Sequence, residues 1–260
     1  MIMQSVSIHD VIKLEKAESG ITFQCGGGAP IDESNLAVKA ARLLLKENSI
    51  EGGLKITLEK RIPSMAGMAG GSADGAAALI GVDMLFDLKT PRKKMLKMAC
   101  SLGADVPFCV VGGVKICEGI GEKMTALPNM PKCAIVVVKP SVSVSTPEAF
   151  AKYDSIVSPK KGDFIGMVSA FKVGDLGGIG SRLFNDLEYA ADLPQIKQAK
   201  EDLMKHGACG ALMTGSGSAV FGIFEDGETA EKCAETLKML YPFCEVCAPV
   251  NSGYEVKECE

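Results

Sequence analysis

The chain has 260 residues, of which 47% are hydrophobic; it can therefore build a sizeable core, which excludes wholesale disorder. At about 150 residues per domain, this length predicts two domains. Lysine and arginine total 28 and aspartate and glutamate 32, and the net charge of −4 is too small to favour nucleic acid or an anionic membrane as a partner. We expect no membrane span and no secretory signal, because neither apolar pattern occurs in the sequence.

The first half of the chain shows the periodicities of alternating strands and helices. Residues 32–35 provide capping side chains for the first helix. The predicted elements are a helix to about Glu47, a strand around 54–58, helices over 76–86 and 91–101, and strands over 114–117 and 134–138.

The second half mixes helices with strands that resemble hairpins, which favours an α+β fold over a doubly wound parallel sheet. A change of composition around 127–131 predicts a boundary between an N-terminal domain, 1–128, and a C-terminal domain, 129–260. The predicted helices are 147–153, 164–171, 183–191, 195–205 and 229–240, and the predicted strands are 211–213, 219–224 and 244–250.

Ten cysteines raise the question of disulfides or a metal. Several lie among apolar residues, as expected of free thiols in a reducing cytoplasm. His206, Cys209, Cys244 and Cys247 have the spacing of zinc ligands. Because the residues around the last two pattern as strand core, we favour a helix end followed by a strand and predict no metal site.

A glycine-rich string follows the strand at 54–58 and opens the next helix. Glycines allow a ligand to approach the backbone closely, and the free N–H groups and dipole of a helix start attract anions such as phosphate. The alternative, a tight turn packed with small residues, explains Gly70 and Gly71 but not the whole string. We therefore predict a phosphate-binding loop. Its candidate residues are Pro63, Ser64, Met65, Ala66, Gly67, Met68, Ala69, Gly70, Gly71, Ser72, Ala73 and Asp74.

Two further strings are candidates for the reaction and for binding. Asp105 follows a predicted helix; alone it reads as a turn residue, but beside a phosphate loop it is placed to accept a hydroxyl proton. The run Thr214, Gly215, Ser216, Gly217 is either a turn between strands or a second loop that approaches a ligand. The polar residues 185–188 are expected at the surface, with ligand contact as the alternative.

Together these strings resemble the superfamily of galactokinase, homoserine kinase, mevalonate kinase and phosphomevalonate kinase. Within it, the chain is most similar to the family of 4-diphosphocytidyl-2-C-methyl-D-erythritol kinases. The resemblance implies a two-domain fold, with an N-terminal ATP-binding domain and a C-terminal ferredoxin-like substrate domain. It rests on 3–7 with Asp10, 35–37, 60–63 with the glycine loop, 103–108, 144–147, 185–188 and 215–217.

The resemblance also implies a function. Such a kinase uses ATP and Mg²⁺ to phosphorylate the 2-hydroxyl of 4-diphosphocytidyl-2-C-methyl-D-erythritol, a small-molecule substrate in the non-mevalonate route of isoprenoid and terpenoid biosynthesis. It implies a cytoplasmic enzyme and no particular oligomeric state. The alternatives are a homoserine or mevalonate kinase, or an inactive nucleotide-binding relative.

The same resemblance assigns roles to residues. The loop Pro63 to Asp74 holds the triphosphate, Asp105 is the catalytic base, and Thr214 to Gly217 contribute to substrate binding. It implies that Phe150, four residues after Thr146 in the same substrate segment, stacks on the cytosine. The alternative for Phe150 is an ordinary core anchor on a helix.

The chain departs from the family pattern in two places. Met68, Ala69, Ala73 and Gly75 replace the more usual Leu, Gly, Ser and Ala, and we expect phosphate binding to survive these changes. The family's opening strand, which carries a catalytic lysine, has no counterpart in this sequence. We therefore expect the chain as written to be weakly active or inactive, and an upstream extension to restore activity.

Overall fold

The computed structural model describes residues 1–26, 32, 34–157 and 161–257. The chain forms two compact units. The first consists of Met1–Ser64, Ala69–Ala126 and Val250–Glu260, and the second of Met65–Met68 and Leu127–Pro249. The α+β, two-domain prediction is confirmed. The predicted ranges 1–128 and 129–260 differ from these units, because the chain changes unit at Ala126/Leu127 and its last residues return to the first unit.

The first unit contains two three-stranded sheets, in the orders β1-β5-β6 and β2-β4-β3. In the second of these sheets, β4 pairs antiparallel with β2 and parallel with β3. The strands are β1 (Ile2–Gln4), β2 (Val11–Ala17), β3 (Ile21–Gly26), β4 (Gly53–Glu59), β5 (Val114–Glu118) and β6 (Lys123–Ala126), and the helices are α1 (Leu36–Glu47), α2 (Gly70–Leu85), α3 (Arg92–Leu102) and α4 (Val106–Val111).

The core of this unit lies between strand β4 and helices α1 and α2. The predicted strand around 54–58 is confirmed as β4, in which Leu54, Ile56 and Leu58 are all buried. Asn35 caps α1 by accepting a hydrogen bond from the Ala37 N–H at 2.9 Å. Of the other predicted capping positions, Glu33 lies outside the described residues.

The second unit is built on one antiparallel sheet of order β10-β7-β9-β8. Helices connect its strands in the ferredoxin-like manner, as predicted. The predicted strand over 134–138 is confirmed as β7, which is buried over five consecutive residues. The strands are β7 (Ala134–Lys139), β8 (Gly210–Met213), β9 (Val220–Phe224) and β10 (Phe243–Cys247), and the helices are α5 (Thr146–Asp154), α6 (Phe164–Val173), α7 (Leu176–Ser181), α8 (Asp186–Ala191), α9 (Pro194–Lys205) and α10 (Gly227–Leu237).

Some element boundaries differ from the prediction. Helix α2 begins at Gly70, six residues before the predicted start at 76. The sequence did not indicate its first turns because they consist of small residues without apolar periodicity. The predicted helix 183–191 begins only at Asp186, since Asn185 caps α8 through its side chain. The short α7 was not predicted because glycines dilute its helix propensity.

Two global properties follow from the described part of the chain. No helix there is both long and apolar enough to cross a membrane. The nine described cysteines are all free thiols.

Candidate active site

The glycine-rich loop leaves β4 and enters α2, as predicted. Three of its residues have left-handed backbone: Met65, Gly67 and Ala69, with φ of 53°, 71° and 54°. This conformation costs a residue with a side chain roughly 1–2 kcal/mol. Such a loop forms only where its surroundings specify it, and conformations of this kind concentrate at functional sites.

The first turn of α2 is suited to bind an anion. Ala69 is the N-cap, and no side chain caps the helix, so the first N–H groups lack the side-chain acceptor that usually satisfies one of them. A Cβ atom at Gly71 would meet nothing within 4 Å, whereas one at Gly70 would lie 2.9 Å from Ile62 Cγ2. Close packing therefore explains Gly70, and Gly71 leaves open space above the helix N-terminus.

Beneath this turn lies a buried ion-pair cluster that the sequence did not reveal. Lys60 Nζ lies 2.5 Å from Asp10 Oδ2 and 2.8 Å from Asp74 Oδ2. Asp10 Oδ1 also accepts hydrogen bonds from the N–H groups of Arg61 and Ile62. Asp74, predicted as part of the phosphate loop, thus directs its carboxylate towards Lys60.

Asp105 occupies the N-cap position of α4, yet its side chain makes no capping hydrogen bond. None of the described lysines and arginines forms an ion pair with it. Burial raises the pKa of its carboxyl group above the ordinary value. The Cys109 thiol on α4 has a pKa raised to about 12, mainly by burial and further by the charges of Asp105 and Asp74.

In the second unit, the first half of the glycine loop is held against the turn between β8 and β9. Thr214 Oγ1 donates a hydrogen bond to Gly67 O at 3.1 Å. The backbone N–H groups of Ser218 and Ala219 donate to Met65 O and Ala66 O. A Cβ atom at Gly67 would lie 2.1 Å from Thr214 O, so only glycine fits there.

The run Thr214 to Gly217 is more than a hairpin turn. Ser216, which is buried, shares a hydrogen bond of 2.7 Å with Thr146 at the start of α5. Gly215 and Gly217 have positive φ values of 52° and 86°. The structure therefore joins three of the sequence-predicted segments, the glycine loop, Thr146 and this turn, into one hydrogen-bonded group within the second unit.

The side chains of Asn185 and Glu188 hold the turn between β8 and β9 by hydrogen bonds to its backbone. Asn185 Nδ2 donates to Met213 O and Gly215 O, both at 2.8 Å. Glu188 Oε2 accepts a hydrogen bond from the Met213 N–H at 2.8 Å, while Oε1 pairs with Lys200. Both residues bond to backbone atoms of the turn, whereas the sequence predicted surface placement with ligand contact as the alternative.

Phe150 lies on α5 with half of its surface exposed. Phe150 is therefore not a buried core anchor, which was the alternative that the sequence left open. On the same helix, Glu148, Ala149 and Lys152 line a cavity of about 230 Å³ together with Ser143, Val144, Ser145, Ala191 and Leu193.

The candidate zinc ligands do not assemble in the structure. His206 Nδ1 contacts Asp202 O at 2.7 Å, and Cys244 is buried against Ala234 O. Across the described ranges, no group of three or more His, Cys, Asp or Glu side chains is arranged to hold a metal ion.

Both halves of the chain match models of known protein families. Residues 35–113 match the GHMP kinases N terminal domain, and residues 167–242 match GHMP kinases C terminal. The 4-diphosphocytidyl-2-C-methyl-D-erythritol kinase of Lachnospira eligens is 40% identical over 242 residues, which are 92% of this chain and 84% of that protein. The enzyme of the same name from Thermoanaerobacter pseudethanolicus is 37% identical over 99% of this chain and 89% of its own length.

This chain belongs to the 4-diphosphocytidyl-2-C-methyl-D-erythritol kinase family. A crystal structure of a 4-(cytidine 5'-diphospho)-2C-methyl-D-erythritol kinase superimposes with a TM-score of 0.82 at 31% identity, covering 95% of this chain and 88% of that one. Homoserine kinase from Cytophaga hutchinsonii, at 22% identity and a TM-score of 0.78, shares the fold. The recognised resemblance is thus confirmed, and the protein is an ATP-dependent kinase.

Membership of this kinase family leaves the individual site residues as predictions. The buried Lys60 cluster and the support from Asn185 and Glu188 lay outside the sequence interpretation. A signal for both was present, because Asp10, Lys60 and residues 185–188 stood among the strings that carried the resemblance.

Proposed function

We propose that this kinase transfers the terminal phosphate of ATP to the 2-hydroxyl of 4-diphosphocytidyl-2-C-methyl-D-erythritol, in isoprenoid biosynthesis in the cytoplasm. The substrate is inferred from relatives of that name that are similar along nearly the whole chain. The observation that carries the chemistry is a pair of packed helices, α2 and α4. Helix α2 begins with an N-terminus that no side chain caps, and α4 begins with Asp105, whose carboxylate forms no ion pair with any described residue.

The backbone N–H groups at the start of α2 bind the phosphates of ATP in this proposal. Gly70, Gly71 and Ser72 are the first three helical residues. Their N–H groups point out of the N-terminus of α2, which is the positive end of the helix dipole. Pro63 to Ala69 form the loop that leads to these donors, and the carbonyl groups of Met65, Ala66 and Gly67 accept the hydrogen bonds that hold it. The open space at Gly71 allows a phosphate oxygen to reach the backbone.

Mg²⁺ accompanies ATP and offsets the charge of the phosphates when bound. The described residues contain no three-residue acidic, histidine or cysteine cluster, so they form no cage of their own for a metal. This suits Mg²⁺, which is commonly held by substrate phosphates and water with few protein ligands.

Asp105 acts as the general base that accepts the proton of the attacking hydroxyl. Its carboxylate is neither a helix cap nor part of an ion pair with a described residue, so both oxygens are available to the substrate. Burial raises its pKa, which increases its affinity for the proton that it must accept. Phosphoryl transfer otherwise depends on positioning and charge stabilisation.

Phe150, Thr146 and the turn Thr214 to Gly217 bind the substrate. The half-exposed ring of Phe150 offers a face on which cytosine stacks, an interaction worth roughly 1–3 kcal/mol. The hydrogen bond between Thr146 and Ser216 fixes the turn relative to the helix that carries this ring.

The test is a coupled assay of ADP release with three acceptors: 4-diphosphocytidyl-2-C-methyl-D-erythritol, homoserine and mevalonate. Of the three acceptors, we expect the first to be phosphorylated fastest, at the low rate that the sequence analysis predicts for this chain. Asp105→Asn should lower kcat by roughly 10²- to 10⁴-fold, because the amide cannot accept the proton. Faster turnover of homoserine or mevalonate, or an unchanged kcat in Asp105→Asn, would contradict the proposal.

A further inference from the structure

The cluster of Asp10, Lys60 and Asp74, here called the lysine clamp, is almost closed to solvent. Its side chains are 4%, 7% and 3% exposed, respectively. A buried ion pair is weak evidence for a stabilising role, because desolvation of the charges can exceed their attraction. The position of the clamp in the fold suggests a different use.

The clamp joins the two ends of the glycine loop. Lys60 is the first residue after β4, where the loop starts, and Asp74 is the fifth residue of α2, where the loop has ended. Asp10 fixes the start of the loop a second time, through hydrogen bonds of 2.6 and 2.8 Å from the N–H groups of Arg61 and Ile62. One ammonium group therefore ties the entry of the loop to its exit.

The clamp also explains a glycine inside the loop. A Cβ atom at Gly70 would lie 3.3 Å from Lys60 Nζ and 2.9 Å from Ile62 Cγ2. The first residue of α2 thus rests directly on the clamp, while the next residue, Gly71, has open space around it. A shift of Lys60 would move the backbone that carries the first N–H donors of the helix.

The charges in the clamp do not balance. Two carboxylates share one ammonium group, and Asp74 Oδ1 is buried without a hydrogen-bond partner among the described residues. Burial and the neighbouring charge of Asp10 outweigh the attraction of Lys60 and raise the pKa of Asp74 to about 7. This arrangement, which is poorly paired for stability, lies where the glycine loop begins and ends.

We propose that Lys60 is a positioning residue for ATP: by bridging Asp10 and Asp74 it holds the glycine loop and the start of α2 in the geometry that binds phosphate. The inference rests on the proposed function insofar as the ligand is ATP, but it does not depend on the acceptor. Lys60 acts through the backbone of the loop and through Asp74.

The experiment compares Asp74→Ala with Asp74→Asn by calorimetric titration with Mg·ATP. Alanine removes the contact to Lys60 at the loop exit, whereas asparagine keeps an oxygen for it. We expect Asp74→Ala to bind ATP roughly tenfold more weakly, since small errors in positioning are costly, and Asp74→Asn to remain within about threefold of the parent. Equal dissociation constants for the two variants would overturn the proposal.

Steady-state kinetics of Lys60→Met provide the second measurement, with Lys94→Met, a half-exposed surface lysine, as the matched control. We expect KM for ATP to rise roughly tenfold in Lys60→Met while KM for the acceptor stays within about twofold. Equal increases in both constants would indicate general damage and overturn the proposal. A parent that binds ATP but phosphorylates homoserine or mevalonate faster than the cytidine substrate would refute the proposed function alone, because the titration still tests the clamp.

Discussion

Ala69 has a backbone conformation that suits glycine better than alanine. Its φ of 54° and ψ of 27° are left-handed, and the resembling family more usually has glycine there. A residue with a Cβ atom is strained in this region, and Ala69→Gly removes that strain. The greater flexibility of glycine in the unfolded chain offsets part of the gain, so the free energy of unfolding should increase by about 1 kcal/mol or less. Urea denaturation of the parent and the variant measures the difference.

Ala73, the fourth residue of the same helix, is the control. Its N–H donates a helical hydrogen bond to Ala69 O at 2.9 Å, and the residue lies inside α2. There glycine is less favourable than alanine, so Ala73→Gly should lower the free energy of unfolding by about 1 kcal/mol. If both substitutions destabilise the protein equally, backbone strain at Ala69 is not the controlling factor.

At the scale of an element, the turn between β8 and β9 depends on Asn185, the N-cap residue of α8. Asn185 makes three hydrogen bonds: its Oδ1 caps α8, and its Nδ2 holds Met213 O and Gly215 O. Asn185→Asp keeps the cap but replaces both donors with an acceptor facing two carbonyl oxygens. We expect the free energy of unfolding to fall by about 1–3 kcal/mol and KM for the cytidine substrate to rise.

The measurement combines urea denaturation with kinetics on the cytidine substrate. Asp192→Asn, at the exposed C-terminal end of α8, alters a charge on the same helix without touching the turn and should leave both values near those of the parent. A variant Asn185→Asp that is as stable as the parent would show that the two donated hydrogen bonds do not hold the turn.

Elements with strong periodicity were predictable from the sequence, and others were not. Strand β4 and helix α1 present regular apolar faces, so local pattern was sufficient. The first turns of α2 consist of glycine, alanine and serine, which favour no regular structure by themselves, and contacts with Ile62 and Lys60 determine them. Lys60 is in turn held by Asp10, which lies 50 residues earlier in the chain, and no local pattern contains that pairing.

At the scale of the whole molecule, the candidate site was predictable as a set of strings but not as a set of contacts. The sequence indicated that Thr146, the glycine loop and Thr214 to Gly217 serve one function. It did not indicate that Thr214 donates a hydrogen bond to Gly67, or that Ser216 pairs with Thr146, because each contact spans at least 70 residues of chain. Long-range pairing is decided by the fold, and a single sequence carries little information on it.

The pH dependence of stability is a property of the whole molecule to which Asp74 contributes with a known sign. Its pKa rises from 3.8 to about 7 on folding, so between these values the folded state binds more protons than the unfolded state. The free energy of unfolding contributed by Asp74 therefore falls as the pH rises from about 4 to about 7, and is level above that range. Burial raises the pKa of Asp105 as well, which gives a contribution of the same sign.

Asp74→Asn removes this titration, so its free energy of unfolding relative to the parent should increase between pH 5 and 7 and level off by pH 8. Urea denaturation at each pH measures the difference. The control is Asp226→Asn, at the exposed N-cap of α10, because hydrogen bonds from Thr229 lower the pKa of Asp226 and confine its effect to more acidic solution. Its difference from the parent should stay constant from pH 5 to 8. A difference for Asp74→Asn that is constant or decreasing over the same interval would mean that Asp74 is ionised throughout, and that Lys60 alone compensates both carboxylates of the clamp.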